Sequence, residues 1–162
     1  MPASGRSRRA WGWHRLTDEW AARVVAAAEV RPGELVLDIG AGEGALTAHL
    51  VRAGARVVAL ELNPRRAGVL RERFGGITVV HADATSIRLP GRPFRVVASP
   101  PYGISSRLLR TLLAPDSRLA AADLVLQRAV DPGGLFAGYA ARLSSRRARW
   151  LVRARSSGFP FQ

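Results

Sequence analysis

The sequence predicts an α/β domain with a doubly wound, mostly parallel sheet. Short apolar runs alternate with helix-like segments along residues 34–127, the signature of βαβ units. A glycine-rich turn, Gly40-Ala41-Gly42-Glu43-Gly44, sits between the first such run and the helix after it. A fourth run leaves through Ser99-Pro100-Pro101-Tyr102, an exit held stiff by two prolines that lack backbone donors.

Residues 1–15, with arginines, glycines and Trp11 and Trp13 but no period, read as a basic arm. Asp18–Glu29 reads as a helix capped by Thr17, and Arg31-Pro32-Gly33 ends it. Glu34–Ile39 is a buried strand entering the glycine turn. Ala45–Ala53 is a helix closed by Gly54. Arg56–Glu61, Ile77–Val80, Phe94–Ala98 and Ala122–Gln127 are further strands, with helices over Pro64–Phe74 and Ser105–Leu113 between them. Beyond Gln127 the pattern weakens. A helix over Leu135–Ala148 and a strand over Trp150–Ala154 are expected, giving at most six and a half strands and an unpaired edge. The expected organisation is a basic arm (1–15), a catalytic domain (16–155) and a short tail (156–162), with the C-terminal part shortened.

Composition narrows the function classes. The chain has 162 residues, 48% of them hydrophobic, enough for one cored domain. No run approaches the ~20 apolar residues of a membrane span, and Arg6, Arg8 and Arg9 precede no signal-like apolar stretch. No membrane contact is expected, and the cytoplasm is the expected compartment. Cysteine is absent, and His14, His49 and His81 lack ligand spacing, so no metal is expected. The formal net charge is +13, and every basic residue is arginine. Genomic codon bias accounts for arginine over lysine but not for the excess over acids. Residues 31–85 hold seven arginines against six acids, residues 86–127 six against two, and residues 128–162 seven against one. A polyanion would therefore meet the arm and the later half of the chain.

The glycine turn and Glu61, which ends the next strand, together suit an adenosine-containing cofactor: glycines admit close backbone approach and the acid accepts ribose hydroxyls. The spacing is G-x-G-x-G rather than the dinucleotide G-x-G-x-x-G. Asp38 and Glu43 would repel a pyrophosphate but suit an amino-acid ammonium. S-adenosyl-L-methionine fits better than a nicotinamide dinucleotide. Asp83, with Ala84 beside it, could face the cofactor adenine or simply cap a turn.

The ordered segments DIGAGEGALT, LELN, HADA and ASPPY resemble the class I (Rossmann-like) S-adenosylmethionine-dependent methyltransferases. Within them the chain is similar to the rRNA adenine N6-methyltransferases. The stretches WGWHRLTDEWAARVV and GRPFRVVASPPY look most like actinobacterial erythromycin-resistance methylases of 23S rRNA. The resemblance implies Gly40 and Gly42 at the methionine tail, Glu61 at the ribose, and Asp83 with Ala84 at the adenine. It also places cofactor contacts within Trp13–Leu16, at His14 and Leu16, where this chain departs from the family's Gln-Asn-Phe pattern. Ser99, Pro100 and Tyr102 fall on the target-base motif: Ser99 Oγ and the Pro100 carbonyl would accept from the adenine amine, and Tyr102 would stack on the base. Ser99 would also border the cofactor. The family usually has asparagine there, so slower methylation, favouring one methyl over two, is expected. The implied activity is methylation of adenine N6 in large-subunit rRNA, giving macrolide, lincosamide and streptogramin resistance, by a monomer with no protein partner. Ser-Pro-Pro-Tyr also suits other amines, such as a DNA base or a protein glutamine. A non-catalytic RNA-binding protein on a methyltransferase scaffold and a nicotinamide-dependent oxidoreductase are the remaining alternatives.

Overall fold

The computed structural model describes residues 16–127, 138–146 and 149–156. The elements, in chain order, are α1 (Asp18–Ala28), β1 (Leu35–Ile39), α2 (Ala45–Arg52), β2 (Arg56–Glu61), α3 (Pro64–Arg73), β3 (Thr78–His81), β4 (Phe94–Ala98), α4 (Ser105–Leu112), β5 (Leu119–Gln127), β6 (Gly138–Arg146) and β7 (Arg149–Ser156). Single 3-10 turns cover Ala84–Ser86 and Tyr102–Ile104. The strands form one sheet in the order β3-β2-β1-β4-β5-β6-β7. The first five in that order are parallel, while β6 and β7 are antiparallel additions.

Side-chain alternation splits the core between the two faces of the sheet. Val36, Val57, Val97 and Val125 pack with Val24, Val25, Leu46 and Leu50 of α1 and α2. Their neighbours Leu37, Val96 and Leu124 face the other way, with Phe94, toward Leu108 and Leu112 of α4. Ala67 and Leu70 of α3 are buried, Leu70 against Ala41 and Ala59. Burial of each large side chain contributes roughly 1.5–3 kcal/mol, so both layers are needed to hold the sheet. Helix ends follow their local signals: Thr17 Oγ1 accepts from Trp20 N–H, and Asn63 Oδ1 accepts from Arg65 and Arg66 N–H just ahead of Pro64.

Arg95 ties one end of this scaffold together. Its guanidinium donates to the Ala28 and Glu29 carbonyls at the end of α1, and pairs with Glu34 at 3.2 Å and Asp123 at 3.4 Å. Helix α1, the loop before β1 and strand β5 thus converge on one residue of β4.

Two expectations for the C-terminal part are corrected. Gly138–Arg146 is a strand, not part of a helix, and with β7 it completes a seven-stranded sheet rather than one ending at six and a half. The reason is the period of the sequence. Tyr139, Ala141 and Leu143 alternate with Ala140, Arg142 and Ser144, a two-residue repeat that suits a strand. Ala122 opposes Leu143, and Leu143 opposes Val152, so apolar positions line up across three strands. The expected strand over Trp150–Ala154 lies within β7. The proposed arm, residues 1–15, lies outside the described residues.

Candidate functional site

The sheet order reverses between β1 and β4: from β1 the chain winds out through β2 to β3, then returns to β4 on the other side. At such a switch point the loops leaving the carboxyl ends of the two strands diverge and open a crevice. Here those loops are the glycine turn after β1 and Ser99–Tyr102 after β4.

The two loops touch. Gly40 has φ 75°, and a Cβ on it would lie 2.9 Å from Pro101 Cδ and 3.5 Å from the Pro100 Cα. Any side chain would both strain the backbone and drive the loops apart. Gly44, at the head of α2, is similarly confined: its Cβ would meet the Phe74 ring at 2.5 Å. Arg73, over the Phe74 ring, donates to the Glu43 carbonyl, so α3 grips the turn from behind.

Glu61 organises the front of the turn. It is 6% exposed, with Oε2 accepting from Gly42 N–H and Oε1 from Asn63 N–H, both at 2.8 Å. A carboxylate offers about four lone-pair sites, so each oxygen keeps capacity for another donor. Such an arrangement suits a vicinal diol: two adjacent hydroxyls can each donate to one oxygen of a carboxylate already aimed by the backbone.

A cavity of about 160 Å³ opens beside it, lined by Gly40, Leu60, Glu61, Leu62, Arg66, Ala82, Asp83, Ala84, Pro101 and Ile104. Leu62 is an exposed large apolar residue on this wall, available to a flat ring. His81 Nε2 meets the Leu62 carbonyl at 2.9 Å and fixes that wall. Asp83 combines two duties that the sequence left open. It caps the turn over Ala84–Ser86, accepting from Thr85 N–H at 2.8 Å, and it also lines the cavity. The Thr85 hydrogen bonds, aided by the Arg107 charge, hold its carboxyl below the usual range, so it stays an acceptor.

Asp38 takes a different place from the one its sequence position suggested. It is 1% exposed and does not line the cavity; Oδ2 accepts from Thr47 Oγ1 at 2.6 Å. Burial pushes its pKa up to about 7, the Thr47 hydrogen bonds oppose this, and the Glu61 charge adds to it. Asp38 therefore anchors α2 to the end of β1 rather than meeting a ligand directly.

At the other loop, Pro100 is buried and Ser99 half-buried. The Pro101 carbonyl is taken by Ile104 N–H at 3.2 Å. Among the described residues no hydrogen bond ends on the Pro100 carbonyl, which leaves it as the acceptor this loop can present. Tyr102 begins the 3-10 turn that leads into α4.

Of the residues singled out from the sequence, Gly40, Glu61, Asp83 and Ala84 share the cavity, Gly42 hydrogen-bonds to Glu61, and Ser99, Pro100 and Tyr102 follow directly from β4. Leu16 does not join them: it is buried in the layer beneath α1 and α2. His14 lies outside the described residues. Sequence reasoning missed Leu62, Arg66 and Ile104 as wall residues. Leu62 could have been found from its place directly after the strand-ending acid, whereas nothing local marks Arg66.

Comparison with known proteins agrees with this geometry. The family model described as ribosomal RNA adenine dimethylase matches residues 6–139. The chain belongs to this family. It is 41% identical over 117 residues to ribosomal RNA small subunit methyltransferase A of Leifsonia xyli, covering 67% of this chain and 42% of that protein. It is 43% identical over 93 residues to the mycinamicin-resistance protein MyrB of Micromonospora griseorubida, covering 57% and 29%. The crystal structure of the 23S rRNA methyltransferase ErmE matches with a TM-score of 0.62 and 37% identity, covering 71% of this chain and 48% of that one. The chain thus spans less than half the length of each of these three relatives. Among the described residues no helix is long and apolar enough to cross a membrane, and no cluster of His, Cys, Asp or Glu could hold a metal ion.

Proposed function

We propose that this chain binds S-adenosyl-L-methionine at the β1/β4 crevice and methylates N6 of an unstacked adenine in ribosomal RNA. The contact of the Gly40 turn with Pro100 and Pro101 carries this reading, because it sets a cofactor cradle directly against a stiff acceptor loop. The donor set fits the cofactor: Glu61 for the ribose diol, Asp83, Ala84 and Leu62 for the adenine, and the Gly40–Gly42 backbone for the amino-acid tail. Bound there, the cofactor supplies a methyl group on sulfonium, already electrophilic, so the protein needs no nucleophile of its own.

What the protein contributes is aim. An aromatic amine is a weak nucleophile because its lone pair spreads into the ring. Acceptance of its hydrogens by the Pro100 carbonyl and Ser99 Oγ would direct the nitrogen lone pair at the methyl carbon, with Tyr102 stacking on the base. In-line positioning of two reactants can lower the barrier by up to ~7–11 kcal/mol. Because the acceptors lie at a strand exit in a crevice, the adenine must be flipped or single-stranded to reach them. The proton displaced from nitrogen leaves to solvent.

The finer reading is a cytoplasmic enzyme that modifies 23S rRNA and confers macrolide, lincosamide and streptogramin resistance, supported by the likeness to MyrB and ErmE. The likeness to small subunit methyltransferase A supports the 16S alternative. Labelled methyl transfer to purified 16S and 23S rRNA, followed by mass spectrometry of the modified nucleotide, decides between them. Transfer to 23S adenine that is lost in Tyr102→Ala is expected. Transfer to 16S alone would replace the target, and no transfer despite RNA binding would leave a binding protein on this scaffold.

A further inference from the structure

The pole of the sheet opposite the cofactor crevice carries a band of arginines. Arg31 lies in the loop before β1, Arg56 opens β2, Arg92 lies two residues before β4, and Arg118 directly precedes β5. All four are exposed. The strands they precede are neighbours in the order β2-β1-β4-β5. At ~4.8 Å per strand, the band crosses roughly 14 Å of the sheet's edge.

These arginines differ from Arg95 in their partners. Arg95 spends its charge internally on Glu34 and Asp123. Glu34 is further engaged by the Arg31 backbone N–H at 2.8 Å. Among the described residues no carboxylate lies within ion-pairing distance of the Arg31, Arg56, Arg92 or Arg118 side chains. Glu29 and Asp116 are the other acids at this end, fewer than the arginines. Between Arg56 and Arg92 lies an open cavity of about 250 Å³, with Arg95 and Glu34 in its wall and Leu35, Pro93 and Phe94 among the rest of its lining. A guanidinium presents a planar fork that matches phosphate oxygens, and two forks across one recess form a clamp for a single phosphodiester.

We propose that this arginine band is a second RNA contact, in which the Arg56–Arg92 recess holds a backbone phosphate of the ribosomal RNA away from the target base. The inference rests on the reading of RNA as the substrate. The six residues of β2, from Arg56 to Glu61, place the recess about 16 Å from the cofactor carboxylate. A strand engaged at both poles would be fixed in orientation as well as held, since phosphate contacts set register while the base site reads identity. A competing role is purely structural: the helices end at this pole, and cations near helix C-termini contribute about 0.3–1 kcal/mol each.

Salt dependence separates the two. Binding of the full chain to a fluorescent oligouridylate, which holds no target adenine, is measured by anisotropy over a salt series. In R56A/R92A the slope of log K against log salt should shallow by about 1.4, at ~0.7 for each lost phosphate contact. Arg71→Ala, exposed on α3, should leave it unchanged, and cofactor affinity by calorimetry should match wild type in both variants. An unchanged slope in R56A/R92A, with or without a lower melting temperature, overturns the proposal, as does failure of the unaltered chain to bind the oligouridylate. Methyl transfer to rRNA by the unaltered chain judges the catalytic reading separately.

Discussion

Asp38 gives the sharpest quantitative test, because a buried carboxyl that titrates near neutrality makes the fold sensitive to pH. Its folded pKa is about 7 against 3.8 for the free side chain, raised chiefly by burial. The folded state therefore holds a proton that the unfolded chain has released, and stability falls as pH rises from about 4 to about 7. Below that window the contribution is fully present; above it, it is lost and the curve flattens. Three pKa units correspond to about 4 kcal/mol. For a domain of this size, that is on the order of 10 °C in melting temperature. Asp38→Asn removes the titration while keeping the bonds to Thr47: the Thr47 N–H can donate to the amide oxygen, and the hydroxyl can turn to accept from the amide nitrogen. Thermal unfolding by circular dichroism at steps from pH 4 to pH 8 should show a wild-type decline that the variant lacks. The difference between the two curves isolates Asp38 from other titrating groups. Parallel curves would refute the assignment of a protonated, buried carboxyl at the base of the glycine turn.

Three further substitutions probe the site and its scaffold. Glu61→Gln would turn an amide nitrogen toward either Gly42 N–H or Asn63 N–H, and cofactor affinity by calorimetry should fall about 10- to 100-fold with the circular dichroism spectrum retained. Gly40→Ala puts a Cβ against Pro101 at positive φ, which should destabilise the chain by about 1–2 kcal/mol in urea unfolding and weaken cofactor binding together. Arg95→Ala strands the Glu34 and Asp123 carboxylates and the last carbonyls of α1, and a loss of about 3 kcal/mol or more is expected from the same unfolding assay. Ser99→Asn should raise the number of methyls per target adenine, read by mass spectrometry; an equal or lower yield would show that serine is not what limits transfer.

The parallel half of the fold was legible because its signals are local. ELVLDI and FRVVAS are continuous apolar runs closed by turn residues, and Thr17, Asn63-Pro64 and Gly54 punctuate helices by their own chemistry. The antiparallel hairpin was not legible because Gly138–Arg146 supports two readings. Alanine, leucine and arginine favour helix by propensity, while the two-residue alternation favours a strand, and the choice falls to β5, whose Ala122 and Leu124 oppose Leu143 and Ala141. A partner strand outside the window decides the state inside it.

The site divides along the same line. Residues that act through a backbone turn or a strand end, such as Gly40, Glu61 and Asp83, announce themselves by position. Residues that act through contact across the fold do not. Asp38 reads as a ligand group from its place two residues before Gly40, yet alternation along β1 sets it on the Val36 side of the sheet, beneath α2, where Thr47 meets it. The same geometry sharpens the proline loop. Two prolines in sequence suggest only stiffness. In the fold, Ile104 takes the second carbonyl and Gly40 fixes the second ring, so the Pro100 carbonyl becomes the acceptor that the crevice can present. Gly40 is thus a shared joint: its missing side chain serves the cofactor cradle and the target loop at once. Cofactor binding and methyl transfer should consequently fail together in Gly40→Ala, whereas Ser99→Asn should change transfer while sparing cofactor affinity.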